Sequence, residues 1–494
     1  MLVSTQPPES WGSMKTQLRL TLTSEDSKRH LEHAVEVPAG TRALRIGLDF
    51  APLLAGGVRN MLCLSVFGPE GFRGAGHRHR LDAPHEVVIG ECWATPGYLP
   101  GPLAHGRWTV EIDTHMIHGE AGCVAELAVE CLSEVPGRPP YRGPAAAPAD
   151  CPAGPPLPPL PAGWLRGDLH AHSRHSDARW DSGELVVRAR ALGLDFVTLS
   201  DHNTVSGLDE LLGAQAQDPG LIVLPGMELT TFWGHALALG LRDWTDWRVA
   251  DGRRSMAQIA REVASRGGVF VIAHPTSAGD PTCTGCRWLY PDTSPGPARH
   301  VEIFNGGSGD VRNEQALALW YRWLDEGHTV FATAGSDAHD ASLMIHGVRF
   351  DVVRCDRSSP AAVLAAVDAG RSYLSRGPHL ELRAVDAAGR RGEPGDTVAA
   401  GAADVQASWL HAEPGSTVRL VVNGRVRHEW PASPAAVEAA AAGTGPGGRP
   451  GAGSARAEVS LSPASWCLLE LRAADGALAA VTNPLRTRGG EGTA

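Results

Sequence analysis

Between residues 15 and 133, apolar and polar positions alternate with a period close to two. The runs QLRLTLT, HAVEV, RALRIGLDF, MLCLSVF, HEVVIG, RWTVEID and CVAELAVECL are separated by Gly, Pro and Asp turns. A period of two puts successive side chains on opposite faces of a strand, so the pattern predicts strands. Several short strands with almost no helical period predict a β-sandwich over residues 1–134. The next stretch, 135–163 (VPGRPPYRGPAAAPADCPAGPPLPPLPAG), is dense in Pro, Gly and Ala. Such a segment makes no core and favours polyproline II, so it reads as a semi-rigid linker.

From Trp164 the period changes. Apolar runs (FVTLS, LIVLPGM, HALALG, VFVIAH, VEIFN, VFATAG) alternate with amphipathic stretches (SGELVVRARALG, SMAQIAREVASRG, NEQALALWYRWLDEG, SPAAVLAAVDAG), several ending in Gly as helix C-termini do. Strands alternating with helices predict a parallel sheet, and this many units predict a closed barrel over 164–378. Beyond it strands return without helices. In RLVVNGRVRHEW, Asn423-Gly424 predicts a hairpin turn. Residues 379–487 therefore read as a second sandwich, of immunoglobulin type, with a low-complexity Ala/Gly/Pro insertion at 433–457 expected to be disordered.

Composition narrows the function. The chain of 494 residues has a formal net charge of -11, which argues against a nucleic-acid or anionic-membrane partner. No apolar run approaches the roughly 18 residues of a membrane span. The N-terminus lacks a charged region followed by an apolar one, so a cytoplasmic protein is expected. Nine cysteines in a reducing compartment are expected to be free thiols, with CTGC (Cys283, Cys286) a loop feature. Oligomeric state leaves no mark in the sequence.

Candidate chemistry lies where the barrel strands end, because side chains there converge on one mouth. The first strand delivers His170 and His172, with Asp177 shortly after; the second, Asp201 and His202; the third, Glu228 and then His235. VFVIAHP ends in His274, and VFATAGSDAHD in Asp337 and His339. Imidazoles and carboxylates gathered at one mouth are satisfied together by divalent cations. A second His-x-His pair, His77 and His79 in GHRHRL, has no such company and reads as a solvated loop of the N-terminal region. No Ser/His/Asp triad is apparent, and GVRNML and NGGSGD lack the ending of a phosphate-binding loop.

The motifs DLHAHSRHSD, TLSDHN, PGMEL, IAHP and GSDAH, in this order, resemble the PHP (polymerase and histidinol phosphatase) metallohydrolases of the amidohydrolase superfamily. The flanking architecture and GRSYLSRGP resemble the carbaryl-hydrolase-like (CehA/McbA) branch. The resemblance covers residues 164–378 and implies a distorted (β/α)7 TIM-like barrel holding two to three divalent ions: zinc, manganese or iron. It places His170, His172, Glu228 and Asp337 on the first ion, and Glu228, His235 and His274 on the second. Asp177, His202 and His339 fall on the third. One departure is Ala178, where the family usually has Gly.

Such a site supplies a hydroxide bridging two ions about 3.5 to 4 Å apart, with Glu228 as the bridging carboxylate. Glu228, Asp201, Asp337 and His339 are the residues expected to carry the chemistry. Asp201 is expected either to orient an imidazole or to move a proton, with a helix cap as its bland alternative. Arg376, Asn305 and His175 are candidate contacts to a small-molecule ester. The leading expectation is a phosphoesterase. A carboxylic or carbamic ester hydrolase is the second, favoured by Trp180, Trp233 and Trp288. A non-catalytic binding or scaffold protein is the third.

Overall fold

The computed structural model describes residues 14–77, 85–120, 122–137, 157–217, 219–249, 254–306, 309–340, 349–356, 359–432 and 451–488. Two antiparallel four-stranded sheets make the N-terminal region. One orders Met14–Leu22, Cys123–Leu132, Ala43–Ala51 and His85–Gly90; the other orders His30–Val37, Gly106–Met116, Met61–Gly68 and Gly71–Gly76. Their facing sides share a core that includes Leu44, Ile46, Leu64, Val66, Trp108 and Ile112.

The second sheet departs from the usual inside-apolar, outside-wet arrangement. Its other face carries His30, Cys63, Ser65, Glu111, Asp113 and His115, and all six are buried. That face is covered by the central region. The His30 ring lies 4.8 Å from Phe232 and 5.0 Å from Trp247, and Arg248 donates to Glu111 at 3.1 Å. Buried polar groups require partners. His30 Nδ1 stands 2.6 Å from Asp113, and the Ser65 hydroxyl donates to Asp113 at 2.6 Å.

Burial works against a charged His30, but Asp113 and Glu111 outweigh it and raise its pKa to about 9. Its ionic contribution to stability is therefore complete below the ordinary value of 6.5 and is lost as pH rises through about 9. His30→Gln should destabilise the protein more at mildly acidic pH than above its folded pKa. Denaturant unfolding of both proteins across that range checks this; a penalty independent of pH would contradict it.

The central region is mixed α/β and strand-rich. Its strands are β1 (Trp164–Asp168), β2 (Phe196–Leu199), β3 (Ile222–Thr230), β4 (His235–Leu239), β5 (Val269–Ile272), β6 (His300–Asn305) and β7 (Phe331–Gly335), adjacent in chain order. The pairs β1–β2, β2–β3, β5–β6 and β6–β7 are parallel, as expected. By contrast, β4 runs antiparallel to both β3 and β5. The link from Thr230 to His235 is too short for the helical crossover a parallel return needs, so β4 folds straight back. An all-parallel closed barrel is thus replaced by a sheet curled into a half-barrel. The chain just past β1 and β7 meets at a bridge between Ala171 and Ala338, with Asp337 N donating to His170 O at 2.8 Å.

Helices α1 (Ser182–Ala191), α2 (Leu208–Gln215), α3 (Met256–Ser265), α4 (Asp310–Asp325) and α5 (Pro360–Asp368) cover the strands. Asp181 caps α1 through Glu184 N, and Ser255 with Gln258 forms a capping box on α3.

The sheet does not stop at residue 378. β8 (Phe350–Arg354) pairs with β1, β9 (Ser372–Ser375) pairs with β8, and β9 pairs with Leu478–Thr482. The C-terminal strands Trp466–Arg472, Thr417–Val422 and Arg425–Pro431 therefore extend the central sheet. A second sheet including His379–Asp386, Gly401–Leu410 and Gly453–Leu461 shares their core. The hairpin at Asn423-Gly424 has φ values of 47° and 67°, as a type I′ turn requires.

Two other expectations change. Gly453–Leu461 is a strand that begins inside the stretch expected to be disordered, while 433–450, like 138–156 of the linker, lies outside the described residues. Cys283 and Cys286 are not free thiols but joined to each other, with a Cα–Cα distance of 5.5 Å; positive φ at Gly285 lets the chain turn between them. Among the described residues, no helix is long and apolar enough to cross a membrane.

Candidate metal centre

All nine residues expected as ligands come together where β1 to β7 end. They form overlapping groups: His170, His172, Glu228 and Asp337; Glu228, His235 and His274; and His172, Asp177, His202 and His339. Within each group one donor atom per residue lies within 4.8 Å of the rest. Glu228 stands at the centre. Its Oε1 is 3.0 Å from His235 Nδ1 and 3.1 Å from His274 Nε2. Its Oε2 is 3.3 Å from His170 Nε2, 3.4 Å from His172 Nε2 and 2.8 Å from His202 Nδ1. The two oxygens of one carboxylate thus face different sets of imidazoles. Asp177 Oδ1 lies 3.1 Å from His339 Nε2 and 3.4 Å from His202 Nε2, and Asp337 Oδ1 lies 3.0 Å from His172 Nε2.

The donors fit divalent cations. Two imidazole nitrogens on one zinc ion at a tetrahedral angle stand about 3.3 Å apart. His170 Nε2 and His172 Nε2 are 3.1 Å apart. Glu228 Oε2 and His235 Nε2 are buried with no hydrogen-bond partner among the described residues; the short contact of Oε2 with His202 lacks hydrogen-bond geometry. Orphaned buried donors at such a density indicate a missing counter-charge. Without one, burial pushes the Glu228 carboxyl up, yet His202, His170 and His235 outweigh it and hold it well below the usual range. His172 is lowered to about 4 by burial and by the neighbouring His202 and His339.

Backbone strain aims two of the ligands. His274 and Asp337 have φ of 28° and 52°, a region that non-glycine residues enter at a cost of about 1–3 kcal/mol and chiefly at functional sites.

Other carboxylates fix these side chains. Glu302 on β6 is buried; its Oε1 is 3.0 Å from His170 Nδ1, and its Oε2 accepts from His274 N and from Asn305 Nδ2 at 3.0 Å each. Asp168 accepts from His170 N and Ser336 N at 3.0 and 2.9 Å, and burial raises its pKa to about 6. Sequence reasoning missed both. The available signal was a lone acidic residue, inside the apolar run VEIFN for Glu302 and at a strand end in RGDLH for Asp168. Thr230, with Oγ1 at 2.5 Å from His202 Nδ1, was missed as well.

Four sequence candidates acquire different surroundings. Asp201 neither orients an imidazole nor caps a helix. Its oxygens accept from Ser173 N and Oγ at 2.7 Å and from Ser176 Oγ at 2.6 Å, tying down the loop that carries His172 and Asp177. Gly207 occupies the N-cap of α2. Asn305 is buried, its amide donating to Glu302 and to Asp337 at 3.3 Å, so it positions a ligand. The His175 ring is held between Ser206 and Glu210, beneath the N-terminal region. Arg376 stands 3.6 Å from Asp310 at the start of α4, which also pairs with Arg349.

His77 is the clearest correction. It is 3% exposed rather than solvated, and its ring packs 4.6 Å from that of His202. It directly follows the strand Gly71–Gly76 of the sheet whose outer face is covered by the central region, which the local sequence does not reveal. His79 lies outside the described residues.

A cleft of about 550 Å³ opens two residues beyond His274, lined by Thr276, Ser277, Arg287, Asp310 and Arg312 among others. Trp180 and Trp288 are buried, their indoles donating to His172 O and Thr293 O, and they do not line it.

No family model matches the chain. A 66-residue stretch is 42% identical to a 5'-3' exoribonuclease of Haemophilus influenzae, covering 13% of this chain and 24% of the relative. A 110-residue stretch is 34% identical to a 3',5'-nucleoside bisphosphate phosphatase of Chromobacterium violaceum, covering 22% and 38%. The chain thus spans about a quarter and about two fifths of the length of these curated relatives. Among solved structures, a two-domain protein containing a predicted PHP-like metal-dependent phosphoesterase from Bacteroides vulgatus is similar at 16% identity and a TM-score of 0.40, covering 67% of this chain and 99% of that one. A putative metal-dependent phosphoesterase from Bifidobacterium adolescentis, at 20% identity and a TM-score of 0.26, covers 37% and 90%.

Proposed function

We propose that this chain is a metal-dependent hydrolase of small phosphate esters, with two to three zinc, manganese or iron ions held by the nine side chains at the sheet's end. The observation that carries the reading is Glu228, whose two oxygens each face imidazoles from different strands, as a carboxylate shared between two cations does. Divalent ions, when bound, polarise an ester oxygen and lower the pKa of water to about 7.

The remaining work falls to this chain's own groups. Glu302, Asp168 and Asn305 hold His170 and Asp337 in one orientation. His339, the most open of the nine with 31% of its side chain exposed, marks the side from which substrate arrives. Arg287 and Arg312 line the cleft with Thr276 and Ser277 and supply cationic donors for a phosphate, and the planar guanidinium fork suits that geometry. The phosphate reading gains from this cleft and from the partial likeness to a chain named as a phosphatase and one named as a ribonuclease. The carboxylic or carbamic ester reading loses the support expected of Trp180 and Trp288.

Purified protein is expected to carry two to three divalent ions per chain and to hydrolyse p-nitrophenyl phosphate or bis(p-nitrophenyl) phosphate. Strong chelation should abolish this, and zinc or manganese should restore it. Elemental analysis and initial rates provide the check. Less than one ion per chain would overturn the metal reading; cleavage of p-nitrophenyl acetate with both phosphates untouched would transfer the assignment to carboxylic esters.

A further inference from the structure

We propose that Cys63, His77 and His115 form a second, independent site for one thiophilic transition-metal ion, Zn2+ or Cu+, in the N-terminal sheet behind His202. The three residues come from different strand segments and are 4%, 3% and 1% exposed, and one donor atom from each lies within 4.8 Å of the other two. The Cys63 sulfur stands 3.7 Å from His77 Nδ1. A thiolate and an imidazole sharing one tetrahedral zinc ion, at about 2.3 and 2.0–2.1 Å, stand about 3.6 Å apart.

A sulfur–imidazole hydrogen bond has a similar length, so that pair alone decides nothing. The third donor does. His115 occupies an irregularity in strand pairing: Met61 faces Met116 and Leu62 faces Thr114, which leaves His115 as the extra residue. Alternation with Glu111 and Asp113 puts His115 on the face that carries Cys63, and bulges recur beside functional sites. Its ring centre stands 5.1 Å from that of His77.

The donor set differs in kind from the one in the half-barrel. That centre is built from imidazole and carboxylate alone, whereas one sulfur with two nitrogens selects softer ions. Met61 and Met116 pack in one small buried apolar cluster with Cys63, which shields its sulfur from water. The site is separate from the nine-ligand centre yet touches it, the His77 ring lying 4.6 Å from that of His202. An ion bound there fixes His77, and with it the wall behind His202.

Cobalt titration of chelator-stripped protein tests the site. The background is Cys283→Ser with Cys286→Ser, which removes the other close pair of sulfurs. Co2+ added to saturation should produce near-ultraviolet thiolate-to-cobalt charge-transfer absorption, which nitrogen and oxygen ligands do not give. Cys63→Ser should abolish the band, and His77→Gln or His115→Gln should weaken cobalt affinity at least tenfold. His170→Ala with His172→Ala, which disables the other centre, should leave the band intact, so the two readings fail separately. Added Zn2+ or Cu+ should displace cobalt and bleach it. If Cys63→Ser proves insoluble, the two His variants, checked for unchanged near-ultraviolet circular dichroism, decide the matter. Absence of the band, or its persistence in folded Cys63→Ser or in both His variants at full affinity, overturns the site.

Discussion

Replacing Glu228 by Gln is expected to reduce turnover more than about a thousandfold, with a much smaller change in KM. The size of the effect follows from the position of the carboxylate. One oxygen faces His235 and His274 and the other faces His170, His172 and His202, so Gln replaces a shared anion by one neutral acceptor and one donor. The NH2 group would point at imidazole nitrogens that themselves seek a cation. Glu302→Gln gives the internal comparison. Glu302 meets His170 at Nδ1, the ring nitrogen turned away from Glu228, and His274 only at its backbone N, so its loss should cost only about 10- to 100-fold. Steady-state kinetics and metal content of both variants decide between the roles. Near-normal turnover in Glu228→Gln beside a dead Glu302→Gln would reverse the assignment.

Gly335→Ala should damage fold and site together. Gly335 ends β7 with an ordinary φ, so the obstacle is space. An added Cβ would lie 2.2 Å from His170 Cβ and 2.4 Å from Glu302 Oε1. The first neighbour is the base of a side chain anchored to its backbone and has no rotamer to escape into. Ordinary overpacking costs about 1–3 kcal/mol, and this contact lies at or beyond the upper end. Relief requires parting the ends of β1 and β7, where Asp337 N bonds His170 O. Reduced stability and reduced metal content should therefore appear together, measured by denaturant unfolding and elemental analysis. Gly213→Ala in α2, whose added Cβ meets nothing within 4 Å and whose φ is ordinary, serves as the steric control. Full metal retention in Gly335→Ala would show that the strand ends are not the frame of the site.

The two expectations differ in how far the sequence foreshadows them. The candidate ligands are legible because chemistry and topology point to one place: His170, Glu228, His274 and Asp337 sit where apolar runs stop. What surrounds them is less legible. Glu302 lies inside an apolar strand, where one acidic residue scarcely disturbs the pattern, and Asp168 closes a short strand just ahead of His170. Asp201 beside His202 looks like a partner for an imidazole, but its bonds run to Ser173 and Ser176, contacts fixed only by how the loop folds back. Strand direction escapes as well, since β4 has the composition of a parallel strand and only the short link before it forbids one. His77 marks a further boundary. Alternation tells which residues share a face of the N-terminal sheet, but not that a second region covers that face.

The pairing of β9 with Leu478–Thr482 makes the C-terminal segment part of the frame of the candidate site rather than an appendage. Asn483 adds to it, accepting from Ala332 N at 2.7 Å and donating to Ala332 O at 3.1 Å, on the strand that leads to Asp337. A chain ended after Pro378 would leave a bare strand edge on β9 and orphan two backbone groups of β7, the arrangement that invites intermolecular strand addition. Shuffling this catalytic unit between proteins thus means carrying along a strand encoded about a hundred residues downstream, so its natural variation should proceed by changes within loops more readily than by exchange of whole modules.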